Sequence, residues 1–140
     1  MVKPTGGAIR GQDLSQLGKP LCVADLIYGG WKELPFQPFR DGIEISEIVT
    51  GSPAVALLRY QPGASVPRHL HTGLETIIVL EGTQSDERGD YPAGSVILNP
   101  QGTVHSVWST DGCVVFIPVS YTHLRAHETD SYLVCRLLLE

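Results

Sequence analysis

From Gly63 to Gly82 the chain reads GASVPRHLHTGLETIIVLEG, and from Gly94 to Ser109 it reads GSVILNPQGTVHSVWS. In a strand, side chains alternate between faces, so His69 and His71 point to the same side. A short turn, Thr72-Gly73-Leu74, lets the Glu75 carboxylate return to that side. Three potential metal ligands then converge within one hairpin. In the second stretch, Pro100-Gln101-Gly102 reverses the chain just before His105, so a third imidazole can enter the same site from a neighbouring strand. His69, His71, Glu75 and His105 are therefore the candidate metal ligands.

The surrounding segments are short and rich in Val, Ile and Leu. Ile43–Thr50, Ala54–Gln61, Thr76–Glu81, Ser95–Asn99, Val104–Trp108 and Cys113–Val119 read as strands. Gly51-Ser52-Pro53, Gln61-Pro62-Gly63, Glu87-Arg88-Gly89-Asp90 and Thr110-Asp111-Gly112 supply the turns. No helical period is sustained between residues 40 and 119, so the expectation is an all-β fold. Residues 1–40 read as an irregular arm laid over the sheet, residues 41–119 as the barrel, and residues 120–140 as a tail.

The chain has 140 residues and a formal charge of −5, with no run of Lys or Arg. That balance gives no electrostatic footprint for nucleic acid or an anionic membrane surface. The apolar runs are of strand length, and the N-terminus lacks the hydrophobic stretch of a signal peptide, which leads to the expectation of a cytoplasmic protein. Three widely spaced cysteines, Cys22, Cys113 and Cys135, suggest neither a disulfide framework nor a zinc cluster.

The two stretches resemble the paired motifs of the cupin superfamily in every glycine, proline, histidine and glutamate of the pattern. One position departs: Ser109 stands where asparagine is common, and that position is not a ligand in the family. The phrases Leu57-Leu58-Arg59-Tyr60-Gln61-Pro62-Gly63-Ala64, Val79-Leu80-Glu81-Gly82, Ser85-Asp86-Glu87, Gly89-Asp90-Tyr91-Pro92-Ala93-Gly94 and Asp111-Gly112-Cys113 further resemble the ChrR-like branch, from about Trp31 to Ile117. The resemblance implies a small antiparallel jelly-roll barrel with one divalent ion, iron, zinc, manganese or nickel, inside it. ChrR also carries an N-terminal helical domain that binds a sigma factor, and the residues before Trp31 do not resemble it.

Three neutral imidazoles and one carboxylate leave a divalent ion with a net positive charge. Iron, manganese or nickel would keep about two positions open for substrate and dioxygen, whereas zinc can close a tetrahedral shell. Two functions follow: a metal-dependent dioxygenase acting on a small chelating substrate of β-dicarbonyl or enediol type, and a non-enzymatic zinc-binding sensor or regulatory module. The enzyme is the slightly preferred expectation. Cupin lyases acting on dimethylsulfoniopropionate place a tyrosine two residues after the glutamate, where this chain has Ile77.

Other residues read more plainly. Trp31, Phe36 and Phe39 serve to pack the arm, Arg59 and Arg68 to form surface ion pairs, and Tyr60 and Tyr91 lack the spacing of general acids. His123 and His127 read as solvated. Uncovered edge strands lead to the expectation of a homodimer, with Leu21–Phe39 covering an edge. The string SYTHLRAHET at 120–129 resembles a translated adapter that recurs in unrelated sequences, so Tyr121–Glu140 is expected to be non-native and dispensable.

Overall fold

The computed structural model describes residues 11–120. His123, His127, Cys135 and the segment from Tyr121 onward, expected to be solvated or dispensable, lie outside the described residues. The strands are β1 (Gln12–Asp13), β2 (Gln37–Arg40), β3 (Ile43–Thr50), β4 (Ala54–Tyr60), β5 (Ser65–Leu70), β6 (Glu75–Asp86), β7 (Gly89–Pro92), β8 (Val96–Asn99), β9 (Val104–Trp108) and β10 (Cys113–Val119). Two single turns of 3-10 helix, Leu14–Gln16 and Gly30–Glu33, punctuate the N-terminal segment.

The strands form one curled sheet in the order β1-β3-β4-β10-β6-β9-β5, with β2 on β3 and both β7 and β8 on β6. Every pairing is antiparallel except that of β1 with β3. This is the all-β jelly-roll architecture expected from the sequence. Strand β6 holds the barrel together, because it reaches β10 and β8 with its first half and β7 and β9 with its second.

Both faces of the β3-β4-β10 region are buried, which explains the unbroken apolar run Val114-Val115-Phe116-Ile117. Ala56, Leu58, Val115 and Ile117 point into the barrel with Ile43, Ile45, Val66, Val79 and Val107. Leu57 and Val114 point outward, where Trp31, Leu34, Ile48 and Val49 cover them and Leu17, Leu21 and Leu26 pack alongside. Apolar burial on two sides is the main stabilising term in such a layered arrangement.

Two β-bulges decide which side chains face inward. On β5 the register against β9 shifts between Val66 and His69: Val66 pairs with Val107 and His69 with His105. The extra residue lies at Pro67-Arg68, where the missing proline N–H breaks no ladder bond. It lets Val66 and His69 face the interior although they differ by three positions. On β6, Glu81 pairs with Val114 but Val79 pairs with Val115, so Leu80 is extra. Before it, Glu75, Ile77 and Val79 face inward; after it, Gln84 and Asp86 do.

Candidate metal centre

The fold brings all four sequence-predicted ligands together. His69 and His105 are direct cross-strand partners on β5 and β9. His71 lies just beyond β5, where its backbone N–H donates to Thr103 O at 2.9 Å and its carbonyl accepts from Gly102 N at 2.8 Å. Glu75 opens β6 opposite Asn99 of β8. One ligand atom from each residue lies within 4.8 Å of the others. Their exposures are 3 %, 2 %, 4 % and 1 % for His69, His71, Glu75 and His105, so the cluster is sealed from bulk water.

The outer nitrogens of the imidazoles fix which inner atoms are available. His69 Nδ1 lies 2.8 Å from Pro67 O, His71 Nδ1 3.0 Å from Thr103 O, and His105 Nδ1 3.1 Å from Asp86 Oδ2. Each partner is an acceptor, so each Nδ1 carries the proton and donates it. Each Nε2 is left as a bare lone pair, the state a metal requires. The bulge at Pro67 thus serves twice, rotating His69 inward and offering the carbonyl that sets its tautomer.

Those lone pairs crowd one another. His71 Nε2 is 3.1 Å from His105 Nε2 and 3.0 Å from Glu75 Oε1, while His105 Nε2 is 3.8 Å from the same oxygen. His69 Nε2, also buried, has no hydrogen-bond partner. Four acceptors converging with no donor between them repel unless a cation lies among them, and a buried carboxylate is costly to desolvate without one. The donor set fits a divalent ion: three neutral imidazoles and one carboxylate, each oriented by a second residue. For Glu75 that residue is Asn99, whose Nδ2 donates to Oε1 at 3.2 Å.

Charge states agree with this arrangement. Burial pulls the His69 imidazole below its ordinary value, which keeps it neutral. Burial pushes the Glu75 carboxyl up, but with no ion between them a hydrogen bond from His71 and the neighbouring imidazoles hold it below its usual range. The carboxylate is therefore ionised and ready for a cation.

Three residues outside the sequence-predicted set complete the centre: Asp86, which anchors His105; Thr103, whose carbonyl and hydroxyl both face His71 Nδ1; and Asn99. Thr103 and Asn99 are adjacent to the Pro-x-Gly turn and were within reach of the motif. Ser109 is fully buried away from the ligands, its hydroxyl donating to Thr83 O at 2.7 Å. Arg59 pairs with Glu44 at 2.9 Å and lies over the Phe36 ring.

The sequence profile of the ChrR Cupin-like domain matches residues 25–123. The chain belongs to this cupin family. Anti-sigma-E factor ChrR of Cereibacter sphaeroides is 31 % identical over 88 residues, which are 62 % of this chain and 41 % of ChrR. The chain thus spans less than half the length of that relative. The crystal structure of Rhodobacter sphaeroides SigE in complex with the anti-sigma ChrR matches with a TM-score of 0.61 and 25 % identity, covering 76 % of this chain and 62 % of that one. An acetylacetone dioxygenase from Acinetobacter johnsonii shares the cupin fold, with a TM-score of 0.59 and 14 % identity over 73 % of each chain. Among the described residues no helix is long and apolar enough to cross a membrane.

Proposed function

We propose that this ChrR-like cupin is a metal-binding regulatory module, in which His69, His71, Glu75 and His105 hold one divalent ion, zinc, in a four-ligand shell. The supporting observation is the space around the donors. The cavity that borders His69, Glu75 and His105 has a volume of about 10 Å³, the room that one water occupies. Pockets for organic substrates are typically hundreds of Å³. A β-dicarbonyl or enediol chelating the ion would have to displace Leu58, Val66, Ile77 and Ile117, which line that cavity. So small a cavity favours a closed metal shell over the oxygenase expected from the motifs.

Zinc suits such a shell because it accepts four ligands without demanding open positions. A protein rather than a chelating small molecule is then the partner proposed for the module, in keeping with its likeness to the cupin part of ChrR. Self-association of two copies belongs to the same proposal; a strict monomer in light scattering at high concentration removes it.

The deciding experiment is metal analysis of the purified chain, combined with an oxygen electrode. The expected result is about one zinc per chain, loss of most of it in His71→Ala, and no oxygen uptake by the iron(II) form with acetylacetone. Full occupancy in a His69→Ala/His71→Ala double variant overturns the ligand set. Rapid oxygen uptake with a diketone restores the oxygenase.

A further inference from the structure

Gln84 is not one of the four donors, yet it is only 2 % exposed and its amide Nε2 completes no hydrogen bond. It faces the barrel interior because the Leu80 bulge has shifted the alternation of β6. Its side chain lies close enough to Tyr60 to act against the burial that raises that hydroxyl's pKa, without forming a bond of good geometry. Native folds rarely leave a buried N–H donor without an acceptor. The water-sized cavity is bordered by Gln84 on one side and by His69, Glu75 and His105 on the other.

We infer that this cavity is a binding site for one water-sized anion, such as hydroxide or fluoride, held between the Gln84 amide N–H and the cation of the four-donor centre. The inference rests on the metal reading above. An N–H donor calls for an acceptor. Three neutral imidazoles and one carboxylate leave a divalent ion with a positive charge that a monoanion neutralises. Apolar walls, Val66 and Ile77 among them, exclude a hydration shell and larger ligands. Because the Glu75 carboxylate also borders the space and repels anions, binding depends on the cation being present.

Fluorine NMR of fluoride added to the manganese(II)-loaded chain tests this. The paramagnetic ion should broaden the fluoride line in a saturable, one-site manner, and removal of the metal with a chelator should abolish the effect. Gln84→Met should bind manganese with unchanged stoichiometry and fluoride roughly ten- to a hundredfold more weakly, the worth of one hydrogen bond to a charged group. Gln84→Glu, which replaces the donor with a second carboxylate, should bind the metal and show no fluoride effect. Acetate, too large for the cavity, should not compete. Wild-type fluoride affinity in both variants, or a loaded wild-type protein that leaves the fluoride line sharp, overturns the anion site and leaves the four-donor reading standing. Failure of the wild-type chain to take up any divalent metal overturns both.

Discussion

Asp86 stands opposite Val107 on the β6–β9 ladder, yet its carboxylate reaches the diagonal neighbour His105, with Oδ2 3.1 Å from Nδ1. Tyr91 donates its hydroxyl to the same carboxylate at 2.7 Å, and the Arg88 backbone N–H donates at 2.8 Å. Burial pushes the Asp86 carboxyl up, but the bonds from His105, Tyr91 and Arg88 hold it below its ordinary value, so it remains an anion behind a metal-facing imidazole. Asp86→Ala should therefore lower metal affinity by about ten- to a hundredfold while far-UV circular dichroism stays unchanged. Competition with a chromophoric chelator measures the loss, and Asp86→Asn should lose less because it can still accept the proton of Nδ1.

Acidification should weaken the metal-free fold in a defined order. In the unfolded chain the imidazole of His69 takes up a proton near 6.5, whereas burial lowers its folded pKa. The unfolded state then binds more protons, so the contribution of this residue is complete above 6.5 and is lost as the pH falls through the folded value. Glu75 follows at lower pH: its folded pKa is below 4.5, and its contribution is lost as the pH falls through that depressed value. Melting temperatures of chelator-treated protein should decline from 6.5 downward, and the metal-loaded form should fall more steeply because protons and the ion compete for the same atoms.

Trp31→Ala tests the outer layer. Trp31 is 5 % exposed and packs with Ile48, Leu57 and Val114 outside the barrel. Its truncation should destabilise the protein by about 3–5 kcal/mol in urea unfolding. Metal stoichiometry at low temperature should be unchanged, because no ligand touches that cluster.

Gly82→Ala should be the most harmful single-methyl change on β6. The residue has φ of +74°, and a Cβ there would collide with the carbonyl oxygen of Gly112 on the approach to β10. Backbone strain of this kind costs about 1–3 kcal/mol. The urea midpoint should fall with an unchanged slope.

Much of this architecture was legible because alternation and turn residues dominate it. Ile43–Thr50, Val104–Trp108 and Cys113–Val119 have the expected bounds, and the i, i+2 histidines do share a face. What escaped the sequence reading lies beyond the bulges. Strand β6 was expected to end at Glu81, since Gly82 and the polar residues after it break the apolar run, but it continues to Asp86. Uninterrupted alternation from Glu75 would have placed Ser85 on the inner face instead of Gln84 and Asp86. Ser65–Leu70 was not among the expected strands because Pro67 and the charged residue beside it hide the pattern. A bulge leaves no composition signal strong enough to mark the phase change, and here two of them decide which polar residues meet the ion.

The bulge at Leu80 has an evolutionary corollary. Strand β6 behaves as two half-strands in series, the first supplying Glu75 and the second Gln84 and Asp86, joined by one residue outside the repeat. Loss of that residue would remove the bulge and leave both halves in phase. Gln84 and Asp86 would still face inward, in step with Glu75, Ile77 and Val79, and Ser85 would still face away. A single codon gained or lost at this point is thus absorbed by the bulge, and the chemistry around the centre survives a change of chain length that would turn over the second half of an unbulged strand.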